Sequence, residues 1–455
     1  MFDLSISQPG LDLGVIIAII AAVFVLQQRR TPQSAVAWLM FIVLVPYLAV
    51  PVFLVLGFRK QGSRFPPIAF TQDPARASQP PVHGLDHVFR KMGLAAAEPG
   101  NSFQLLTSGE AAFKAMMQVV GSAQHRLDIT FYILADDEVG RAFVQALTAR
   151  AQQGVTVRLI LDRLGTLRRP RKELAQFQKA GGQLNYFSPF LHPIDNGHLN
   201  LRNHRKMVIA DGARVFAGGM NVGQSYMGSG PYQGRFVDLA YCLEGPAVRA
   251  FVDVHHSDWD VSGKSPYPDL PKVPAKAGSA MVQLVPSGPD TVHDPLNDGL
   301  IYALHNARER IWIATPYFLP TEGAGQALAT AARRGVDVRI LMPLHSNQRT
   351  TDFARGAYLR ELAEAGCQIF LHETAMIHAK MGVIDDAAYV GSANFDVRSM
   401  LLNFEAVLFV YDDASRDALV NWFTQLSGEC AQGVRPARLL RRIAEGVFRL
   451  GAPVL

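Results

Sequence analysis

The sequence predicts an α/β fold in which two tandem βαβα repeats pack as a pseudo-twofold pair, preceded by an N-terminal transmembrane helical hairpin. Three observations lead there. His204-x-Lys206-x4-Asp211 recurs as His378-x-Lys380-x4-Asp385, 174 positions later. The repeat extends upstream: RLDITFYI at 126–133 parallels RIWIATPYF at 310–318, and Gly154-Val155-Thr156-Val157-Arg158 parallels Gly335-Val336-Asp337-Val338-Arg339, at offsets of 181 to 185. Two uncharged apolar runs lie near the start of the sequence. Chance matches would not keep the register of a repeat, and strands alternating with helices imply an α/β sheet.

In chain order, residues 13–26 are apolar and uncharged, and a second such run covers 35–58 after Arg29 and Arg30. A span needs roughly 20 apolar residues; the second run supplies them, and Leu11 with two glutamines lengthens the first. No cation precedes the first run and no small-x-small site follows it, which argues against a cleaved signal. Residues 1–60 therefore read as a membrane hairpin. Arg29 and Arg30 at its tip are outnumbered by Arg59, Lys60 and Arg64 beyond it, so the soluble part is expected on the cytoplasmic side. The proline-rich stretch in 61–95 reads as a linker outside any core.

Residues 96–280 make the first repeat and 281–432 the second. Each reads as an apolar strand, an amphipathic helix closed by glycine, an apolar strand, a helix, and then the motif hairpin. Ala180-Gly181-Gly182 matches Ala365-Gly366-Cys367 at offset 185, so extra residues must precede His204, in a loop around 187–200. Residues 433–455 carry Arg438, Arg441, Arg442 and Arg449 among Leu439, Leu440, Ile443, Val447, Phe448 and Leu450. That spacing is a basic amphipathic helix, either lying in a membrane interface or docked on the domain by its apolar face.

Side chains alternate faces along a strand, so His204 and Lys206 point the same way, as do His378 and Lys380. The aspartates, at an odd offset and next to turn-forming Gly212 and Asp386, brace a hairpin turn. Each copy continues into small residues and an amide, Gly218-Gly219-Met220-Asn221 and Gly391-Ser392-Ala393-Asn394, where a backbone can approach a phosphate. A phosphodiester is an anion whose transition state spreads further charge over its oxygens, and Lys206, Lys380, Asn221 and Asn394 suit that charge. One imidazole attacks phosphorus while the other protonates the leaving alkoxide, so the two need opposite protonation states. Glu405, 27 residues after His378, and Asp238, 34 after His204, lie on the apparent next strand of their repeats. They are assigned to hold the imidazole tautomers. No metal or other cofactor is called for, because the lysines supply the positive charge.

Cys242, Cys367 and Cys430 are widely spaced with no CxxC pair, which argues against a zinc site or a disulfide framework and for buried reduced thiols. A net charge of +5 suits an anionic lipid surface or a nucleic acid. No basic groove interleaved with aromatic residues is present, so a nucleic-acid partner is not expected.

With its doubled HxKxxxxD and trailing G-[GS]-x-N, the chain resembles the phospholipase D superfamily. The order of hairpin, linker, two repeats and basic tail is similar to that of bacterial cardiolipin synthases, as are Asn203-His204-Arg205-Lys206-Met207, Glu244-Gly245-Pro246 and Thr315-Pro316-Tyr317-Phe318. The resemblance implies a catalytic set of His204, Lys206, Asp211, His378, Lys380 and Asp385, with phosphate contacts from Asn221, Ser392 and Asn394. It implies transfer of a phosphatidyl group from one phosphatidylglycerol to another through a phosphatidyl-histidine, at a bacterial inner membrane. His204 is carried over as nucleophile and His378 as acid and base, an assignment that near-symmetry leaves reversible. Gly219 stands where the second copy has Ser392, so a hydroxyl is available from one half only. Alternatives are hydrolysis by water, transfer from phosphatidylethanolamine or to another alcohol, and a membrane-tethered nuclease.

Overall fold

The structure, a computed structural model, describes residues 9–27, 32–53, 65–71, 74–187, 201–262, 272–434 and 436–450. It divides into two compact units. The smaller contains α1 (Pro9–Gln27), α2 (Pro32–Leu44) and α3 (Pro46–Val52). Among the described residues, no helix is long and apolar enough to cross a membrane. The second expected span is interrupted at Val45, which leaves helical geometry (φ −141°, ψ 63°) because Pro46 has no N–H and crowds the residue before it. The three helices bury Ala21, Val25, Ile42, Ala49, Val50 and Phe53. Val15, Ile19, Val23, Met40, Leu44 and Leu48 are nevertheless exposed. The cations used to orient the hairpin (Arg29, Arg30, Arg59, Lys60 and Arg64) lie outside the described residues, as does most of the insertion before His204.

The larger unit begins within the stretch expected to be a linker, and that expectation fails. After α4 (Pro74–Ala77), α5 (Gly84–Lys91) seals one core with Leu85 and Phe89, and Ile68 packs into another. Its prolines punctuate a chain whose apolar residues are spent on the body.

The first half then runs β1 (Glu98–Leu106), α6 (Gly109–Ser122), β2 (Arg126–Phe131), α7 (Glu138–Gln152), β3 (Thr156–Asp162), α8 (Arg171–Lys179), β4 (Gln183–Phe187), β5 (Met207–Ala210), β6 (Arg214–Gly218), β7 (Ala240–Glu244) and α9 (Val248–Ser262). The second runs β8 (Ala280–Ser287), α10 (Pro295–Asn306), β9 (Arg310–Ala314), β10 (Phe318–Leu319), α11 (Glu322–Arg333), β11 (Asp337–Pro343), α12 (Arg349–Glu364), β12 (Gln368–His372), β13 (Met381–Ile384), β14 (Ala387–Gly391), β15 (Phe395–Asp396), α13 (Val397–Leu401), β16 (Glu405–Val410), α14 (Asp413–Ser427) and β17 (Ala431–Gln432), with α15 (Leu439–Leu450) last.

The main sheet has the order β17-β12-β11-β9-β13-β14-β16-β8-β1-β7-β6-β5-β2-β3-β4. Read outward from the β1–β8 seam, the halves mirror one another: β1-β7-β6-β5-β2-β3-β4 against β8-β16-β14-β13-β9-β11-β12. The expected duplication is thus visible as a pseudo-twofold pair in one continuous sheet. β2, β3 and β4 are parallel, as are β9, β11 and β12, while the motif hairpins β5–β6 and β13–β14 are antiparallel.

Alternation decides which layer each side chain joins. Met207 and Ile209 face a core shared by both halves beneath α9 and α14, whereas Val208 and Ala210 face the core under α6, α7 and α8. In the second half Ala406, Leu408 and Val410 take the shared core and Val407 and Phe409 the other. Both sheet faces are therefore covered, which is why these strands read as unbroken apolar runs. Ser108, Asp137 and Asp412 cap α6, α7 and α14 by accepting backbone N–H bonds. Gly154 and Gly335 take positive φ (88° and 90°) just past α7 and α11, the turn that glycine makes without strain.

The terminal helix follows neither expected alternative fully. α15 docks on α12, but through its polar edge: the buried Glu445 carboxylate pairs with Arg360 and with Arg441 (3.0 Å), and Phe448 stacks on Phe353. Gly356 makes room, since a Cβ there would lie 2.4 Å from Glu445. Leu439, Leu440 and Ile443 remain exposed.

Candidate active site

The two motif copies meet where the halves cross-pair. Asn203 bridges to Phe404 and Ile377 to Val237, so each motif strand leans on the carboxylate-bearing segment of the opposite half. The backbone N–H of His204 donates to Phe404 O (2.8 Å) and that of His378 to Val237 O (2.7 Å). All of these residues belong to the larger unit.

That crossing corrects one expectation from the sequence. Nδ1 of His204 lies 3.0 Å from Glu405 Oε2 and 3.1 Å from Oε1, and Nδ1 of His378 lies 2.6 Å from Asp238 Oδ2. Each imidazole is thus held by the other half's carboxylate, not by its own. A carboxylate only accepts, so each neutral ring carries its proton on Nδ1 and its lone pair on Nε2, which in His378 lies 3.1 Å from Lys380 Nζ. Tyr132 stands edge-on to His204 at 4.9 Å and Tyr226 to His378 at 5.2 Å between ring centroids, fixing the ring planes.

Lys206 and Lys380 are almost completely buried. Among the described residues neither forms an ion pair with a carboxylate. Lys206 Nζ donates to His204 O, and Lys380 Nζ donates to His378 O and sits 2.8 and 3.1 Å from that ring's two nitrogens. Burial pushes the Lys206 ammonium down to about 7, with Lys380 adding repulsion while Glu405 and Asp238 oppose it. Burial likewise brings Lys380 down to about 8, against the pull of Asp238 and Glu405. Buried ammonium groups without a contacting counter-ion make a place where an anion is strongly favoured.

The same burial, with the neighbouring lysines, lowers both imidazoles: His204 falls below its ordinary value despite Glu405, and His378 goes down to about 4 despite Asp238. Burial would raise the Glu405 carboxyl, but His204 and Lys206 outweigh it and hold it low. Both rings are therefore neutral near pH 7 in the free protein, and the expected opposite protonation states are absent there. A bound phosphodiester monoanion would offset the lysines and raise the pKa of whichever imidazole receives the proton.

Ser392 and Gly219 show why the halves differ. The Ser392 hydroxyl donates to Glu405 Oε2 (2.5 Å) and accepts from Ala406 N (2.9 Å), so its proton is committed to the carboxylate and not to a phosphate. Expected as a phosphate contact, it instead holds Glu405. At Gly219 a Cβ would lie 2.4 Å from Asp238 Oδ1. The shorter Asp238 occupies space that the longer Glu405 leaves for a serine. Asn221 is also engaged by protein: its Oδ1 accepts from Ile133 N (3.1 Å). Asn394 Oδ1 is buried without a hydrogen-bond partner among the described residues.

Asp211 and Asp385, grouped with the catalytic residues by the motif, sit at the ends of β5 and β13 remote from the lysines. Asp211 accepts from the backbone N–H groups of Gln124, His125 and Arg126 (2.7–2.8 Å), and Asp385 from Arg308, Glu309 and Arg310 (2.8–3.0 Å). Both have positive φ, 52° and 50°. Their work is structural: each ties a hairpin turn to the start of the neighbouring strand. Asp211→Ala is expected to cost about 2–3 kcal/mol of stability, read as an earlier half-inactivation point in urea, with turnover per active molecule unchanged within about threefold. A well-folded variant with no turnover would return the aspartate to the chemistry.

Sequence reasoning missed Arg205 as well as the two tyrosines. Facing away from its motif neighbours, Arg205 pairs with Asp258 (2.6 Å) and Asp290 (2.7 Å), and its Nε donates to Glu405 O (3.2 Å). It thereby fixes the backbone that carries Glu405. Tyr132 did leave a signal, since it matches Tyr317 in the repeat; Tyr226 left none.

The family described as "Cardiolipin synthase, PLD-like domain" matches residues 116–230 and 300–427, and "Phospholipase_D-nuclease N-terminal" matches 16–57. The chain is 32% identical to the cardiolipin synthase of Geobacillus thermodenitrificans, with 96% of this chain and 92% of that one covered. It is 31% identical to cardiolipin synthase A of Pseudomonas aeruginosa, covering 97% and 94%. Among solved structures, phosphatidylserine synthase of Haemophilus influenzae superposes with a TM-score of 0.65 at 13% identity, over 82% of this chain and all of that one, a likeness of fold. The chain belongs to the cardiolipin synthase family of phospholipase D-like phosphatidyltransferases.

Proposed function

We propose that the protein makes cardiolipin by moving a phosphatidyl group from one phosphatidylglycerol to the primary hydroxyl of another. The observation that carries this reading is the pair of buried lysines without contacting carboxylates, set between two imidazoles whose Nδ1 atoms are locked by carboxylates. A lipid phosphodiester supplies the missing negative charge. His378 takes up a proton as the phosphodiester anion binds beside it; His204 Nε2 then forms a bond to phosphorus while the bond to the glycerol oxygen breaks, and His378 gives that oxygen the proton. The second lipid's hydroxyl then gives a proton to His378 as its oxygen bonds phosphorus and the phosphorus–nitrogen bond breaks. Lys206 and Lys380 stabilise the charge on the non-bridging oxygens in both steps. The Asn394 amide N–H is proposed to join them, and Asp238 and Glu405 orient the rings.

The apolar side chains exposed on α1, α2 and α3 support residence at a bacterial inner membrane with a multi-pass N-terminal segment, and the excess of Arg59, Lys60 and Arg64 over Arg29 and Arg30 supports a cytoplasmic catalytic unit. An intermediate that must meet a lipid alcohol rather than water gains from such confinement. Purified enzyme given phosphatidylglycerol alone is expected to release glycerol and cardiolipin in equal amounts. Phosphatidic acid as the main product would replace this reading with a hydrolase.

The lowered pKa values set the pH dependence. The nucleophile must be unprotonated, and its lowered pKa keeps it so at neutral pH; the lysines must be charged, and they lose protons at about 7 and about 8. kcat/KM is expected to fall on the acid side only below pH about 6.5, and on the alkaline side well before pH 10. A profile flat to pH 10 would remove the lysines from the free enzyme's titration.

A further inference from the structure

We propose that residues 163–172, the loop after β3 together with the first two residues of α8, form a bilayer-contact surface built into the first half, which seats anionic lipid headgroups beside the His204 strand. This rests on the lipid-transfer reading for its substrate assay, and a second readout below is independent of it.

Leu164 and Leu167 are exposed at 41% and 50%, and the same ten residues hold Arg163, Arg168, Arg169, Arg171 and Lys172. Arg163 and Arg169 lie over the Tyr186 ring, each at 5.0 Å. Arg168, Arg171 and Lys172 are exposed, and no ion pair engages them among the described residues. The loop borders an open cleft of about 1170 Å³ whose other wall includes Ile133, Ala135, Asp136, Asp137 and Arg141, just after Tyr132 in the chain. Leucines beside unpaired cations suit a membrane interface, where apolar tips enter the acyl boundary and cations meet phosphates. A soluble polyanion would use the cations and leave the leucines in water.

The loop is also anchored to the chemistry. Asp162 Oδ1 accepts from Leu164 N (2.9 Å) and Gly165 N (3.0 Å), while its Oδ2 accepts from Asn203 N (3.1 Å), the residue before His204. Gly165 lies against the Tyr132 carbonyl, where a Cβ would come within 2.1 Å. A headgroup held at the loop is thereby presented next to the ring that Tyr132 positions. The equivalent turn of the second half, Leu344-His345-Ser346-Asn347-Gln348-Arg349, has one arginine and no second leucine, so the contact belongs to one half.

The test uses the full chain with two substrate forms: monomeric dihexanoyl phosphatidylglycerol, and phosphatidylcholine nanodiscs containing one-third long-chain phosphatidylglycerol. The triple change Arg168→Gln, Arg171→Gln, Lys172→Gln is expected to lower kcat/KM about tenfold or more on nanodiscs and less than about twofold on monomers. Leu164→Ser with Leu167→Ser should shift the same ratio. Equal losses on both forms, or none, would overturn the proposal. Separately, Leu167→Cys carrying an NBD fluorophore, in a chain with Cys242, Cys367 and Cys430 changed to alanine, should be quenched by doxyl-labelled lipid in anionic nanodiscs. Unquenched, water-like emission there would also overturn it. Wild-type enzyme that makes no cardiolipin while the fluorophore is quenched would remove the proposed reaction and leave the loop's assignment standing.

Discussion

Replacing His204 or His378 with alanine is expected to lower cardiolipin formation by at least about 10³-fold in each case, while unfolding in urea stays close to wild type. The size follows from the shared site. His378 is buried and His204 half-buried, and each is locked by a carboxylate from the other half. Neither half holds a complete set, so one cannot work alone. The two losses should separate when the leaving group changes. A phosphatidyl ester of p-nitrophenol needs no proton on departure, so the His378→Ala enzyme should release a burst of nitrophenolate and accumulate a lipid-protein adduct. The His204→Ala enzyme should give neither. The opposite pattern would exchange nucleophile and acid, and substantial activity in either variant on the natural lipid would dismantle the single-site reading.

Much of this arrangement was legible because it rests on period and repetition. A strand puts residues i and i+2 on one face, so His204 with Lys206 and His378 with Lys380 follow from the backbone alone. The offsets between the repeats predict paired halves, and the mirrored strand order on either side of the β1–β8 seam matches. What stayed hidden depends on contacts between segments far apart in the chain. Spacing within one repeat says nothing about which half a carboxylate will lean on. Asp238 and Glu405 were therefore placed on their own histidines, and the structure exchanges them. Ser392 read as a phosphate donor because its neighbours are small, yet a carboxylate thirteen residues later takes its proton. The proline-rich segment looked like a linker because proline marks irregular chain, but irregular chain still carries Ile68, Leu85 and Phe89 into the cores. At Val45, a run of apolar residues concealed what a single proline does to a helix. Composition is blind to each of these.

The exchanged carboxylates lead to the second large effect. Glu405→Gln and Asp238→Asn should each reduce kcat by about 10²–10⁴-fold, because an amide of the same size can present N–H to Nδ1 and stabilise the wrong tautomer. Loss of activity alone does not reveal which ring each carboxylate serves, since both belong to one catalytic unit. Imidazole nitrogen resonances do. Glu405→Gln should move the signals and pKa of His204 and leave those of His378 nearly fixed; Asp238→Asn should do the reverse. The sign is set by charge: without the Glu405 carboxylate, His204 keeps the burial and lysine repulsion that lower its pKa and loses the attraction that opposes them, so it falls further. His378 in the Asp238→Asn protein falls in the same way, from its already low value of about 4. Were Glu405→Gln instead to perturb His378, the halves would be self-contained. The crossed bridges Asn203–Phe404 and Val237–Ile377 would then have no part in holding the rings.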